Sequence, residues 1–186
     1  MTRIIGGEAR GRRLATPSGA GTRPTSDRVR EALFSALEAA LGSLHGLRFL
    51  DLYAGSGAIG LEARSRGASA VTCVESDRRT AAVVRGNARA LGYVEVEVVA
   101  SSVSRALAAQ PRAPYDVVFS DPPYALSPAT VESDLRALVS EGWLAPAATV
   151  VVERSSRSPG PAWPEGLVGD RSKRYGETTL WYGHAT

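Results

Sequence analysis

The chain of 186 residues carries a single cysteine, Cys73, so it can close no internal disulfide and build no cysteine zinc cluster. A reducing, cytoplasmic setting fits that composition. Cys73 lies inside the apolar stretch 70–74 and reads as a small packing residue rather than a nucleophile. Two histidines, His45 and His184, are too few and too far apart in sequence to indicate a metal site, and none is expected. No apolar run approaches the roughly 20 residues of a membrane span, and the N-terminus lacks an apolar signal core. Neither an anchor nor a leader is expected. Lysine is almost missing as well. Lys173 is the only one among 22 basic residues, so the identity of an arginine says little and only clustering is informative.

Clustering does occur. Arg3, Arg10, Arg12, Arg13, Arg23, Arg28 and Arg30 face only Glu8 and Asp27 within the first thirty residues, while the whole chain carries a formal charge of just +3. Such a segment suits a polyanionic partner, against the alternative of a solvated face. With 44% hydrophobic and 22% charged residues, the remainder has the composition of one folded domain with a single core.

Beyond about Leu47, short apolar runs alternate with amphipathic stretches. Strands are expected at 47–52, 70–75, 94–99, 115–120 and 149–153, and helices at 59–66, 77–91, 104–109 and 128–140. Five strands and four crossovers define an α/β sheet. Two closing antiparallel strands are expected at 167–170 and 177–182. Ahead of this rhythm, 3–14 holds the turn signal Ile4-Ile5-Gly6-Gly7 and reads as a hairpin, and 16–22 is a Pro/Gly/Ser loop. Thr25, Ser26 or Asp27 then caps a helix with the apolar face Val29, Leu33, Leu37 and Leu41.

The turn out of the first long strand, Asp51-Leu52-Tyr53-Ala54-Gly55-Ser56-Gly57-Ala58-Ile59-Gly60, matches G-x-G-x-x-G at a strand-to-helix junction. Glycines there let a ligand press on the backbone. Glu75, closing the next strand, is the acid expected to hold ribose hydroxyls. A dinucleotide would place its pyrophosphate at that helix start, where Asp51 would repel it. S-adenosylmethionine carries an ammonium and a sulfonium instead, so Asp51 favours the methyl donor. Tyr53, Ala54, Ser56, Ser76, Ser102 and Val103 complete the candidate donor site, with Ser102 the candidate for the adenine amino group.

After the fourth strand comes Asp121-Pro122-Pro123-Tyr124. An exocyclic amine on a base is a poor nucleophile because its lone pair is delocalised into the ring. Asp121 and the carbonyl of Pro122 can accept its hydrogens, paired prolines make a rigid rim without competing donors, and Tyr124 can stack on an extruded base. A plain Pro-Pro turn is the competing reading; the glycine loop and Glu75 upstream favour the catalytic one.

"RIIGGEARGRRL" at 3–14 and "TRPTSDRVREALFSAL" at 22–37, together with the glycine loop and the DPPY tetrapeptide, resemble the bacterial RsmD family over nearly the whole chain. The resemblance implies a Rossmann-like class I methyltransferase sheet of seven strands with the last pair reversed, preceded by a short hairpin and helix extension. It implies a basic extension at 1–22 and a methyltransferase domain at 23–186. It implies methylation by S-adenosylmethionine of the N2 amine of a guanine in 16S rRNA, within a small-subunit particle carrying ribosomal proteins, by a monomeric enzyme. Arg3, Arg10, Arg12, Arg13, Arg23, Thr25 and Arg28 then become RNA-binding candidates. Other RNA, DNA adenine or a protein amide are alternative targets, a catalytically idle RNA-binding module is another reading, and a dinucleotide oxidoreductase has no matching hydride-transfer set.

Overall fold

The computed structural model describes residues 2–19 and 25–186. Two short strands, β1 (Thr2–Arg3) and β2 (Arg13–Leu14), pair antiparallel and precede helix α1 (Asp27–Leu41). Ser26 caps α1, its hydroxyl accepting from the Val29 amide at 3.2 Å. There follow β3 (Arg48–Leu52), α2 (Ala58–Ser65), β4 (Ala70–Glu75), α3 (Arg78–Leu91), β5 (Val96–Ala100), α4 (Val103–Leu107), β6 (Tyr115–Ser120), α5 (Pro128–Ser140), β7 (Leu144–Ser155), β8 (Leu167–Tyr175) and β9 (Thr178–Ala185). No helix among the described residues is long and apolar enough to cross a membrane.

Seven strands form one sheet in the order β5-β4-β3-β6-β7-β9-β8. Those from β5 to β7 are parallel, and β9 enters antiparallel between β7 and β8, so the last two strands are reversed in order. Chain order reverses between β3 and β6, which opens a crevice at their carboxyl ends. The expected strands are all present. Several boundaries move: β5 begins at Val96 and α4 at Val103, β8 runs on to Tyr175 and β9 to Ala185, and β7 reaches back to Leu144 because it continues through Pro146 and an Ala147 with φ of 57°, residues that break a strand pattern in sequence.

Side-chain alternation sorts the sheet residues onto two faces. Phe49, Val117, Phe119 and Val151 pack with Val29, Leu33, Phe34 and Leu37 of α1 and with Ile59 and Ala63 of α2. Leu50, Leu52, Val118, Val150 and Val152 point the other way, onto Val103 and Leu107 of α4 and Val131, Leu135 and Leu138 of α5. Polar residues at the carboxyl ends inherit these directions. Asp51 and Glu153 belong to the α1 face, and Arg154 to the α5 face.

The N-terminal segment is fastened to the domain by one buried carboxylate. Glu62 of α2 accepts from the amides of Ile5 at 2.8 Å and Gly6 at 2.7 Å, pairs with Arg66 at 2.9 Å, and lies 3.8 Å from the fully buried Arg30. Burial lowers the pKa of Arg30, and the charges of Glu62 and Asp27 oppose that shift. Ile4, Ala9 and Leu14 close a small core with Leu61, Ala88 and Tyr93. Asp27 pairs with Arg30 at 3.0 Å, the structural alternative left open by the sequence.

Replacing Glu62 by alanine removes acceptors from two amides and leaves Arg30 buried with less compensation. A stability loss of about 3–5 kcal/mol is expected for Glu62→Ala, measured by chemical denaturation. A loss within error of zero would show that the extension is held without Glu62, by its apolar contacts and the hydrogen bonds of Ser65 and Asn87.

Candidate active site

The crevice contains a cavity of about 330 Å³ lined by Asp51, Tyr53, Ala54, Gly55, Ser56, Ala58, Ile59, Phe119 and Asp121, and on its outer side by Thr2, Thr16, Pro17, Gly19 and Thr25. The glycine loop forms its floor. Gly60 allows α2 to approach β3 and β4: a Cβ there would stand 2.6 Å from Cys73 Sγ and 3.2 Å from Asp51 Oδ2. Gly57 starts α2 in the left-handed region at φ 79°, where a side chain would also strike Val84 at 2.6 Å. Cys73 is a buried free thiol, raised well above its ordinary pKa by burial, as its packing role requires.

Asp51 is only 1% exposed and accepts the Gly60 amide at 2.9 Å. Burial raises its pKa to about 7; the Gly60 amide opposes the shift and the charge of Glu75 adds to it. A buried carboxylate of this kind favours a cationic ligand and disfavours an anionic one. Glu75, half-buried, braces the loop by accepting from the amides of Gly55 and Asp77, each at 2.9 Å. Tyr53 has a φ of 60° and donates its hydroxyl to Asp134 of α5, which fixes the ring at the cavity wall.

The other donor-site candidates are distributed unevenly. Ser76 is exposed just beyond β4. Ser102 caps α4, its hydroxyl accepting from the Arg105 amide at 3.3 Å, and Val103 packs in the core beneath it. Neither Ser102 nor Val103 lines the 330 Å³ cavity.

Asp121 and Glu153 share the carboxyl-end rim. Ser120 pairs with Val152 as the last pair of the β6–β7 register; Asp121 follows just beyond β6, and Glu153 is the next residue of β7. Burial raises the pKa of Asp121, and the neighbouring charges of Glu153 and Asp51 raise it further. Arg154 and a hydrogen bond from Thr25 act in the opposite direction. Glu153 is also raised by burial, against hydrogen bonds from Thr25 and Thr178. The Thr25 hydroxyl donates to Glu153 Oε2 at 3.2 Å, and Thr25 also lines the cavity with Asp121, so one side chain just before α1 borders both carboxyls. Thr25 thus stands in the pocket and leaves capping to Ser26.

Arg154, on the opposite face, is 6% exposed and points its guanidinium into the DPPY loop. It lies 3.4 Å from the carbonyl oxygens of Pro122 and Pro123 and 3.2 Å from that of Leu126. Pro122 is buried and Pro123 exposed, and Tyr124 leaves 55% of its surface to solvent. An apolar strand ending in Glu153-Arg154 was the available sequence signal for this second pair, and the motif reading passed over it. Thr16, Pro17 and Gly19 had no such signal, because nothing in a loop composition tells which cavity it covers.

Of the RNA-binding candidates, Arg3, Arg10, Arg12, Arg13 and Arg28 are exposed. Arg12 also donates to the Ala90 carbonyl at 2.9 Å, and Arg3 lies 3.9 Å from Asp27. Arg23 lies outside the described residues.

The sheet order, the glycine turn after β3 and the acceptor-lined DPPY rim after β6 are those of a class I methyltransferase. Residues 2–184 match the family model described as Conserved hypothetical protein 95. The chain is 39% identical over 175 residues to ribosomal RNA small subunit methyltransferase D of Escherichia coli, covering 94% of this chain and 85% of the relative. Identity to the protein of that name from Haemophilus influenzae is 38% over 160 residues, 84% of this chain and 80% of the other. The solved structure of yhhF from Escherichia coli, described as a candidate methyltransferase, superposes with a TM-score of 0.87 at 35% identity, covering 99% of this chain and 97% of that one. The chain belongs to the RsmD family of methyltransferases.

The raised pKa of Asp51 makes folding favour its protonated form. That stability is complete below the unfolded carboxylate value of about 4. It is lost as pH rises through about 7. Asp51→Asn lacks this loss, so its stability relative to wild type should grow by about 4 kcal/mol across the same interval. Thermal melting of the two proteins over a pH series checks this; a difference independent of pH would place Asp51 in contact with water.

Proposed function

We propose that this chain methylates the exocyclic N2 amine of a guanine in 16S rRNA of the small ribosomal subunit, with S-adenosylmethionine as donor. The observation that carries the reading is the junction of Asp51 and the glycine loop with Asp121 in one cavity, beside an exposed Tyr124. The relatives named as small-subunit rRNA methyltransferases support the choice of substrate.

The residues present fit the donor. Asp51 is a buried carboxylate held near neutrality and in need of a cation, Glu75 stands at the β4 edge toward the ribose, and three acids around the loop would disfavour a pyrophosphate. When bound, S-adenosylmethionine supplies a methyl group on positively charged sulfur. Gly55 and Ser56 present the backbone against which it rests, with Tyr53 and Ala54 at the wall, and Gly57 makes the turn into α2 behind them. Ser76, Ser102 and Val103 mark the adenine side in this assignment.

On the acceptor side, Asp121 takes a hydrogen bond from the amine and so draws electron density back onto nitrogen. The Pro122 carbonyl, shared with Arg154, accepts the second hydrogen. Pro123 stiffens the rim and the exposed Tyr124 stacks on the base, which must be unpaired to offer its face. Arg3, Arg10, Arg12, Arg13 and Arg28, exposed on the surface, meet RNA phosphate, and Arg23, outside the described residues, is assigned the same role. Particle-bound rRNA, a cytoplasmic location and a monomeric enzyme complete the proposal. Residues 1–22 then act on RNA and residues 23–186 carry the chemistry, with Thr16, Pro17 and Gly19 also closing the donor cavity.

Incubation of small subunits lacking this modification with radiolabelled donor should place label on one guanine of 16S rRNA. Label only on protein, DNA or another RNA would overturn the assignment. Asp121→Ala should reduce transfer by about a thousandfold or more while donor affinity changes little. Full transfer in that variant would remove Asp121 from the mechanism. The double variant Arg10→Ala, Arg13→Ala should lower the salt slope of RNA binding by roughly 1.5. An unchanged slope would mean that both side chains face only solvent.

A further inference from the structure

A second, smaller chamber adjoins the donor cavity. Its volume is about 70 Å³, and it is lined by Thr25, Ser26, Val29, Tyr124, Glu153, Tyr175, Glu177 and Thr178. Thr25 lines both chambers, with Asp121 on the donor side and Glu153 on the other. The space is too small to hold a purine but admits one edge of a ring whose face lies on Tyr124.

From this arrangement we infer that Glu153 is the residue that selects guanine, its carboxylate accepting the N1–H of the target base while Asp121 accepts from the adjacent N2 amine. The inference rests on the methyl-transfer reading above and extends it from an amine to a particular base. Guanine presents N1–H and the N2 amine side by side, two donors on one edge, and the rim presents two carboxyls side by side, each one residue beyond the last β6–β7 register pair, Ser120 with Val152. Adenine has an unprotonated N1 beside its amine, and a carboxylate facing that lone pair would repel it. The match is one of donor pattern.

Three features single out Glu153 among the chamber's acids. It is 5% exposed, so a hydrogen bond to it is little screened by solvent. Thr25 donates to it and orients it, and a carboxylate has acceptor sites beyond that one. Thr25 also lines the donor cavity together with Asp121, so the two carboxyls border the same side chain. Glu177 is exposed at the rim, where water competes for any base edge.

The test uses small subunits reconstituted with a synthetic rRNA segment carrying guanine or 2-aminopurine at the mapped nucleotide. 2-Aminopurine keeps the amine that receives the methyl group and replaces N1–H by a bare acceptor. Wild-type kcat/KM should favour guanine by about a hundredfold, because a site built around a donor rejects an analogue without it. In Glu153→Gln the side-chain amide can donate to that acceptor, and the ratio should narrow roughly tenfold or more while the donor dissociation constant stays within about twofold. If Glu153→Gln does not fold, Thr25→Val, which removes the hydroxyl orienting Glu153, should narrow the same ratio. A wild-type enzyme that uses both bases equally, or a ratio unchanged in the folded variant, overturns the inference. Absence of label on any small-subunit guanine would defeat the methyl-transfer reading itself, so the two failures are distinguishable.

Discussion

Crowding of carboxyls at the open edge of a parallel sheet is the constraint around which this molecule is arranged. Asp51 and Glu153 lie near the carboxyl ends of β3 and β7 and Asp121 just beyond β6, strands that are neighbours in the sheet, and all three lie on the α1 face; desolvation opposes the ionisation of each, and at Asp121 the charges of the other two add to it. What relieves them is specific. The Gly60 amide serves Asp51, the Thr25 hydroxyl serves Glu153, and Arg154 approaches from the other face of the sheet. A cluster that has not been neutralised by its own protein is suited to cations and hydrogen-bond donors, which is the chemistry of a sulfonium donor and an amine acceptor.

The N-terminal segment is bound into this arrangement rather than appended to it. Glu62 ties Ile5 and Gly6 to α2, Asn87 exchanges two hydrogen bonds with the backbone of Ala15, and the chain then runs past the donor cavity at Thr16 to Gly19. Asn87 also reaches the Ser56 carbonyl in the glycine loop. The same few residues therefore connect an exposed row of arginines with the wall of the donor site, and contact with RNA phosphate would bear on a segment that closes that site.

Legibility in sequence followed the range of each signal. Periodicities of two and near four identified every strand of the main sheet and the helices between them, because burial on each face is dictated by neighbours a few residues away. Glycine spacing at 55, 57 and 60 and the DPPY tetrapeptide were readable because backbone approach and loop rigidity are local demands. Ser102 was assigned by position at a strand end, and the structure gives its hydroxyl to the first turn of α4. Glu153 and Arg154 stood visible as two charges closing an apolar strand, yet their partners lie 28 residues or more away in sequence for the DPPY loop and 128 for Thr25.

By itself the sequence determined an α/β sheet, a glycine-floored crevice, a rigid DPPY loop at a strand end and a basic leading segment, since each follows from residue type and short spacing. Tertiary structure decided which carboxyls meet, that Arg154 braces the loop from behind, and that Thr25 belongs to the pocket while Ser26 caps the helix. Those outcomes depend on strand order and register, which bring β7 beside β6 and the start of α1 over both. No local pattern encodes such a meeting; it arises from the packing of elements far apart in the chain.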